Sequence, residues 1–378
     1  METQHSVVLE SAARIAALGD GSVDLIVTSP PYPMIEMWDA SFADQNPDAG
    51  GCLQAEDGPG AYRAMHETLD TVWHQTVRVL RPGGFLCINI GDATRKIGAN
   101  FRLYPNHARI TEACEAIGLQ SLPAILWRKQ TNAPNKFMGS GMLPSGAYVT
   151  LEHEYILIFR QGDKRRFPPE DRERRRASAF FWEERNQWFS DLWDFKGVRQ
   201  RHAAGAPARS RSGAFPLELA FRLINMYSLQ GDTVLDPFLG TGTTTVAAMA
   251  AARNSVGFEL DSRFSATIDA AVAEALPLMN ERQRRRLTDH REFVSARQES
   301  SGTPLGYHNQ PHDTPVMTKQ ETDLALPAVG HVQRLQQGEY QVHHTSLEEQ
   351  SDSPQSVGFE GIGSTAPDSP GQLSLPLD

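Results

Sequence analysis

A doubly wound α/β fold with a mostly parallel sheet follows from three observations on this 378-residue chain. Apolar runs of strand length lack a polar face, helical stretches alternate with them, and a glycine-rich turn directly follows one of the runs. The runs are "SVDLIV" (22–27), "GGFLCINIG" (83–91), "PAILW" (123–127), "EYILIF" (154–159), "DTVLD" (232–236) and "NSVGFEL" (254–260). Helices are expected over 61–80, ending at "RPGG", and over 105–117, 216–229 and 243–252. No convincing helix separates "LPAILWRK" from "LEHEYILIFRQG", so these two predict an antiparallel pair at one sheet edge. From residue 298 the alternation gives way to Gln, Ser, Pro, Gly, His and acids, which predicts a disordered acidic tail over 298–378.

Composition is that of an ordinary globular protein, with 40% hydrophobic and 22% charged residues. No run has the length of a membrane span and no basic-then-apolar leader opens "METQHSVVLE", which places the expected protein in the cytoplasm, at the nucleoid if its partner is DNA. Cys52, Cys87 and Cys114 form no CxxC or His/Cys cluster, so neither a disulfide framework nor a metal site is expected. The net charge of -10 is unevenly spread. Residues 298–378 hold eleven Asp/Glu against Lys319 and Arg334, while Arg160 to Arg211 holds fourteen Lys/Arg against eight Asp/Glu. In the basic stretch Phe180, Phe181, Trp182, Trp188, Phe189 and Trp193 interleave with the charge, a pattern that suits a surface meeting phosphates and bases and equally a helix face packed by its aromatic side.

Two motifs carry chemistry. "TSPPYP" (28–33) ends the first strand, and its adjacent prolines make a stiff bend with few free carbonyl orientations. "DPFLGTGTTT" (236–245) turns from a strand through Gly240 and Gly242 into a helix start with free N–H groups, and Glu259 ends the next strand, where an acid can accept from both hydroxyls of a ribose. A phosphate-binding P-loop needs a lysine that is absent here, and a dinucleotide turn wants a third glycine where Thr245 stands. An adenosyl pocket needs only the tight turn and the ribose acid.

Together, "TSPPY" and "DPFLGTG" resemble the beta class of amino-group DNA methyltransferases, in which the catalytic motif precedes a variable segment and then the cofactor motif. "RVLRPGGFLCINIGD", "ILWRK" and "LEHEYILIFRQG" are similar to the intervening sheet motifs of that class, and "AFPLELAFRLI" (214–224) to its Phe-Pro motif. The resemblance implies a Rossmann-like methyltransferase fold and S-adenosylmethionine as cofactor. It divides the chain into a catalytic half (1–160), a target-recognition segment (161–212), a cofactor half (213–297) and the tail. It also implies catalytic roles for Ser29, Pro30, Pro31 and Tyr32, and cofactor contacts from Thr28, Phe215, Asp236, Phe238, Gly240, Gly242, Thr243 and Glu259. DNA contacts are expected from Arg174, Arg175, Arg176, Arg199 and Arg201.

An exocyclic amine is a poor nucleophile because its lone pair is delocalised into the base. Acceptors at its N–H groups, here Ser29 Oγ and the Pro30 carbonyl, draw it toward tetrahedral geometry, while Tyr32 stacks on the flipped base. The amine of double-stranded DNA is the expected target. Serine at the first motif position is associated with N4-cytosine, with N6-adenine as the alternative; a C5 mechanism would need a Pro-Cys, which the chain lacks. A non-catalytic DNA-binding relic and a nicotinamide enzyme are further readings, disfavoured by the intact motifs and by Thr245. Trp38 and Asp39 read as a core tryptophan and a solvated acid, and Tyr148, Glu152 and His153 stay outside the expected site. Partners left open are a restriction endonuclease, a second copy of the chain, and a replication sliding clamp, whose peptide ligands Gln372, Leu373, Leu375 and Leu377 resemble.

Overall fold

The computed structural model describes residues 1–129, 138–197 and 215–348. Arg199, Arg201 and the Gln372–Leu377 peptide lie outside the described residues. Ten strands form the main sheet, named here in chain order: β1 (Glu2–Val8), β2 (Val23–Thr28), β3 (Leu80–Ile90), β4 (Leu119–Arg128) and β5 (His153–Gln161), followed by β6 (Leu192–Asp194), β7 (Thr233–Asp236), β8 (Asn254–Phe258), β9 (Pro327–Gln336) and β10 (Glu339–Ser346). Their order across the sheet is β6-β4-β5-β3-β2-β7-β8-β1-β10-β9. Only β5 and β10 run against the rest.

The apolar runs become central strands because both faces of the sheet are covered. Leu25 and Val27 of β2, Cys87 of β3, Ile156 and Ile158 of β5 and Val234 of β7 face the helices Leu217–Tyr227, Thr243–Ala250 and Ser265–Ser301. The alternate residues Ile26, Leu86, Ile88, Leu157, Phe159 and Leu235 face helices Gly58–Val79 and Asn106–Ala116. Each strand thus places side chains on both faces in the period-two order of a pleat. The expected antiparallel pair is β4 with β5, and short β6 lies outside it as the edge.

The tail expected to be disordered is instead folded as far as Glu348. Helix Ser265–Ser301 runs past residue 298 and stops at Gly302, whose φ of 64° suits a residue without Cβ. The chain then returns as β9 and β10, so that Val332, Tyr340 and Val342 join the main core. Leu324, Leu326 and Leu347 make a smaller core with Phe181 and Leu287. Alternation of buried Val and Tyr with outward Gln, His and Arg hid these strands inside a polar composition.

In the basic, aromatic stretch the same contacts match the second of the two expected forms, a helix packed by its aromatic side. Phe181, Trp188 and Trp193 are core residues, and Glu184 holds Arg286 through two hydrogen bonds of 2.6 and 2.8 Å. Arg176 pairs with Asp323 of the tail at 2.9 Å, and the Trp182 N–H donates to Glu321 Oε1 at 2.8 Å. Two charge blocks that each looked like an outward-facing surface partly neutralise one another.

Candidate active site

The carboxyl ends of β2, β3, β7 and β8 and the amino end of β5 share one edge of the sheet, and the two sequence motifs meet there. Thr28, the last residue of β2, donates its hydroxyl to Asp236 Oδ1 at 2.6 Å, tying the Ser-Pro-Pro-Tyr bend to the glycine turn. Asp236 also accepts from Thr244 Oγ1 at 2.6 Å and from the Phe238 N–H at 3.0 Å. Burial raises its carboxyl pKa from 3.8 to about 6, against these hydrogen bonds.

The turn that follows is open to a ligand. Gly240 (φ 57°) and Gly242 (φ 89°) occupy the left-handed region, and a Cβ on Gly240 would meet nothing within 4 Å. Glu259 is fixed by the backbone: its Oε2 accepts from the Gly240 N–H and its Oε1 from the Asp261 N–H, both at 2.8 Å. Each oxygen keeps a further acceptor site, so the carboxylate can take two hydroxyls at once. Burial raises its pKa, and the two backbone hydrogen bonds oppose that shift. Thr243 opens the following helix, and Phe238 stands edge-on to Trp73 with centroids 5.9 Å apart. Phe215 is buried in the main core immediately before helix Leu217–Tyr227.

Around the prolines the sequence reading missed three residues. Tyr32 Oη lies 2.8 Å from Asn89 Nδ2, 3.0 Å from Glu154 Oε2 and 3.2 Å from Ser29 Oγ. Glu154 accepts from Asn89 Nδ2 at 2.8 Å and pairs with Lys129 at 3.0 Å. The tyrosine ring lies close beside Gly91, where a Cβ would come within 3.0 Å of Tyr32 Cε2. Burial, and then the negative charge of Glu154, raise the Tyr32 phenol pKa well above its usual value, so it stays protonated. Glu154 is the second of the two acids in "LEHEYILIF"; an acid directly before the apolar run was the available signal. Asp39, read as solvated, is held by two hydrogen bonds from Arg95, of 2.7 and 2.6 Å.

The arginine run does not join this edge. Arg174 pairs with Asp232 at 3.0 Å and Asp171 at 2.9 Å, Arg175 lies over the Phe167 ring at 4.2 Å, and Arg176 is held by Asp323. Asp232 precedes β7, at the opposite end of that strand from Asp236. At the same end of the sheet, the chain leaving β3 forms a hairpin, Ala93–Ile97 with Asn100–Tyr104. It contains Arg95, Lys96 and Arg102 and no acid. Exposed Phe101 stacks on exposed Tyr148 with centroids 5.0 Å apart.

Proteins similar to this chain are DNA methylases and Type II methyltransferases. A family model described as DNA methylase matches residues 23–270. The Type II methyltransferase M.MthZI of Methanothermobacter thermautotrophicus is 53% identical over 329 residues, spanning 86% of this chain and 91% of that one. M.MjaI of Methanocaldococcus jannaschii, also a Type II methyltransferase, is 48% identical over 281 residues, 71% of this chain and 91% of the relative. A solved protein of Thermus thermophilus, a candidate DNA modification methylase in complex with S-adenosyl-L-methionine, is 34% identical with a TM-score of 0.56, covering 72% of this chain and 96% of that one.

Proposed function

The chain belongs to the N6/N4 DNA methylase family, and on that premise we propose that it moves a methyl group from S-adenosylmethionine to the exocyclic N4 of cytosine in double-stranded DNA. One observation carries the reading: the Thr28–Asp236 hydrogen bond of 2.6 Å makes the amine-binding bend and the cofactor turn neighbours on one sheet edge. Ser29 at the first motif position supports cytosine over adenine, since Asp or Asn is the adenine-associated residue there.

The residues present fit the cofactor. The open space at Gly240 leaves room for the adenosyl group, and Glu259 offers two fixed acceptors for ribose hydroxyls. When bound, S-adenosylmethionine supplies an electrophilic methyl group. Everything else falls to the chain: Ser29 Oγ and the Pro30 carbonyl take the amine N–H groups, the proline pair limits their motion, and Tyr32 offers its ring to the extruded base. Glu259→Ala is expected to weaken cofactor binding roughly 10- to 100-fold through the lost charge-assisted hydrogen bonds, measurable by titration calorimetry.

Incubation with tritiated S-adenosylmethionine and unmethylated DNA, followed by nucleoside mass spectrometry, tests the whole reading. The expected product is N4-methylcytosine. N6-methyladenine would keep the family and change the base, and no incorporation would overturn the activity.

DNA is expected to approach over the 93–104 hairpin rather than the Arg174–Arg176 run. Lys96 and Arg102 are exposed on the hairpin that leaves β3, and that hairpin, itself free of acids, complements a phosphate backbone. Replacing both with alanine should weaken binding to all DNA sequences and flatten the log affinity against log salt slope by up to about 1.8, with cofactor affinity unchanged. An unaltered slope would assign these two side chains to solvent alone.

A further inference from the structure

The hydrogen bonds around Tyr32 have only one consistent direction. A carboxylate accepts and cannot donate, so at Glu154 Oε2 the phenol must be the donor. Asn89 is oriented by the same oxygen, because only its Nδ2 can face a carboxylate, and that nitrogen donates to Glu154 and to Tyr32 Oη, both at 2.8 Å. The phenol oxygen, its one proton already committed, can then only accept. Its second acceptor position faces Ser29 Oγ at 3.2 Å, so the serine proton points at the tyrosine. Both serine lone pairs are left for another group. Lys129 donates to the other carboxylate oxygen, Glu154 Oε1, at 3.0 Å, so both oxygens of Glu154 face donors.

We propose that Glu154 is a positioning residue that sets the direction of the Glu154–Tyr32–Ser29 chain and thereby obliges Ser29 Oγ to accept from the substrate amine. The inference rests on the amine-methylating function proposed above. Without the carboxylate, Tyr32 can donate to Ser29, and the serine then presents its proton to an N–H group that also needs an acceptor. Glu154 touches neither the base nor the cofactor in this scheme; it acts through two side chains.

The test is a double-mutant cycle on the full-length protein with DNA and S-adenosylmethionine, reading kcat, KM for DNA, cofactor Kd and melting temperature. Glu154→Gln, of the same shape, should lower kcat roughly 10- to 100-fold while cofactor Kd changes less than about twofold. In a Ser29→Ala background the same substitution should cost nothing further, because the acceptor it orients is gone. A merely structural glutamate would lower melting temperature and cofactor affinity and would cost the same in both backgrounds. Wild-type kcat in Glu154→Gln, or losses that multiply in the double variant, would overturn the proposal. Should Glu154→Gln not fold, Tyr32→Phe cuts the same chain from the other side and must show the same kcat loss with unchanged cofactor Kd; full turnover by it would overturn the proposal equally. Absence of methyl transfer by the wild type would instead sink the underlying function, and this inference with it.

Discussion

Asp236→Ala is expected to abolish detectable S-adenosylmethionine binding and to cost the protein several kcal/mol of stability. The carboxylate is the common acceptor for Thr28 Oγ1, Thr244 Oγ1 and the Phe238 N–H, and its removal strands three donors at a buried point. Each unsatisfied donor costs about 1–3 kcal/mol, although the threonines recover part of this by rotating toward backbone carbonyls. Lost along with them is the tie between the two motifs, so the glycine turn is released from the Ser-Pro-Pro-Tyr bend. Calorimetric titration with the cofactor and thermal melting check both effects; retained micromolar binding would show that the turn holds its shape unaided. The same group gives a pH signature. Its pKa is raised from 3.8 to about 6, so the folded cofactor-free protein holds this proton more tightly than the unfolded chain. Its contribution is therefore full below pH 4 and is lost as pH rises through 6, a change of about 3 kcal/mol. Asp236→Asn removes this dependence, and the difference in melting temperature between wild type and Asn variant should shift in the variant's favour as pH rises from 4 to 7.

Tyr32→Ala should lower turnover about 100-fold or more while leaving cofactor affinity within roughly twofold. Stacking of a base on an aromatic ring is worth about 1–3 kcal/mol, and the alanine also leaves Glu154 and Asn89 without the phenol between them. Gly91 gives the ring its seat, since any Cβ there would press on Tyr32 Cε2. Single-turnover assays with saturating cofactor isolate the effect. An equal loss of cofactor binding would place the ring on the wrong substrate.

The central sheet was legible because strands buried on both faces announce themselves as unbroken apolar runs, as in "VDLIV" and "EYILIF". The glycine turn and Ser-Pro-Pro-Tyr were legible because a constrained backbone needs residue types that little else explains. Illegible were features that depend on two distant segments. Arg176 looks free until Asp323 is beside it, and Glu321 looks solvating until it receives the Trp182 N–H. Thr3, His5 and His344 look like surface residues, yet His5 Nε2 and His344 Nε2 each lie 2.9 Å from Thr3 Oγ1, and His5 Nδ1 lies 2.8 Å from Ser255 Oγ. Burial lowers both histidine pKa values to about 3, so these rings are neutral parts of the core. Glu154 was missed for a related reason: its meaning lies in Tyr32, 122 residues earlier.

The position of β1 in the sheet has a consequence for how the protein is made. This strand pairs on one side with β8, residues 254–258, and on the other with β10, residues 339–346, and so leaves the ribosome before either neighbour. It therefore waits, with neither neighbour yet synthesised, while the chain between β1 and β8 is made. Between the arrival of β8 and that of β10 it stands as an open edge whose backbone groups invite pairing with another nascent chain. At this margin the expected bottleneck in biogenesis is sequence separation, since loop closure across more than 300 residues must precede the last contacts. A ribosome-stalled chain ending before residue 339 should accordingly bind chaperone at β1, and release it once β10 has emerged.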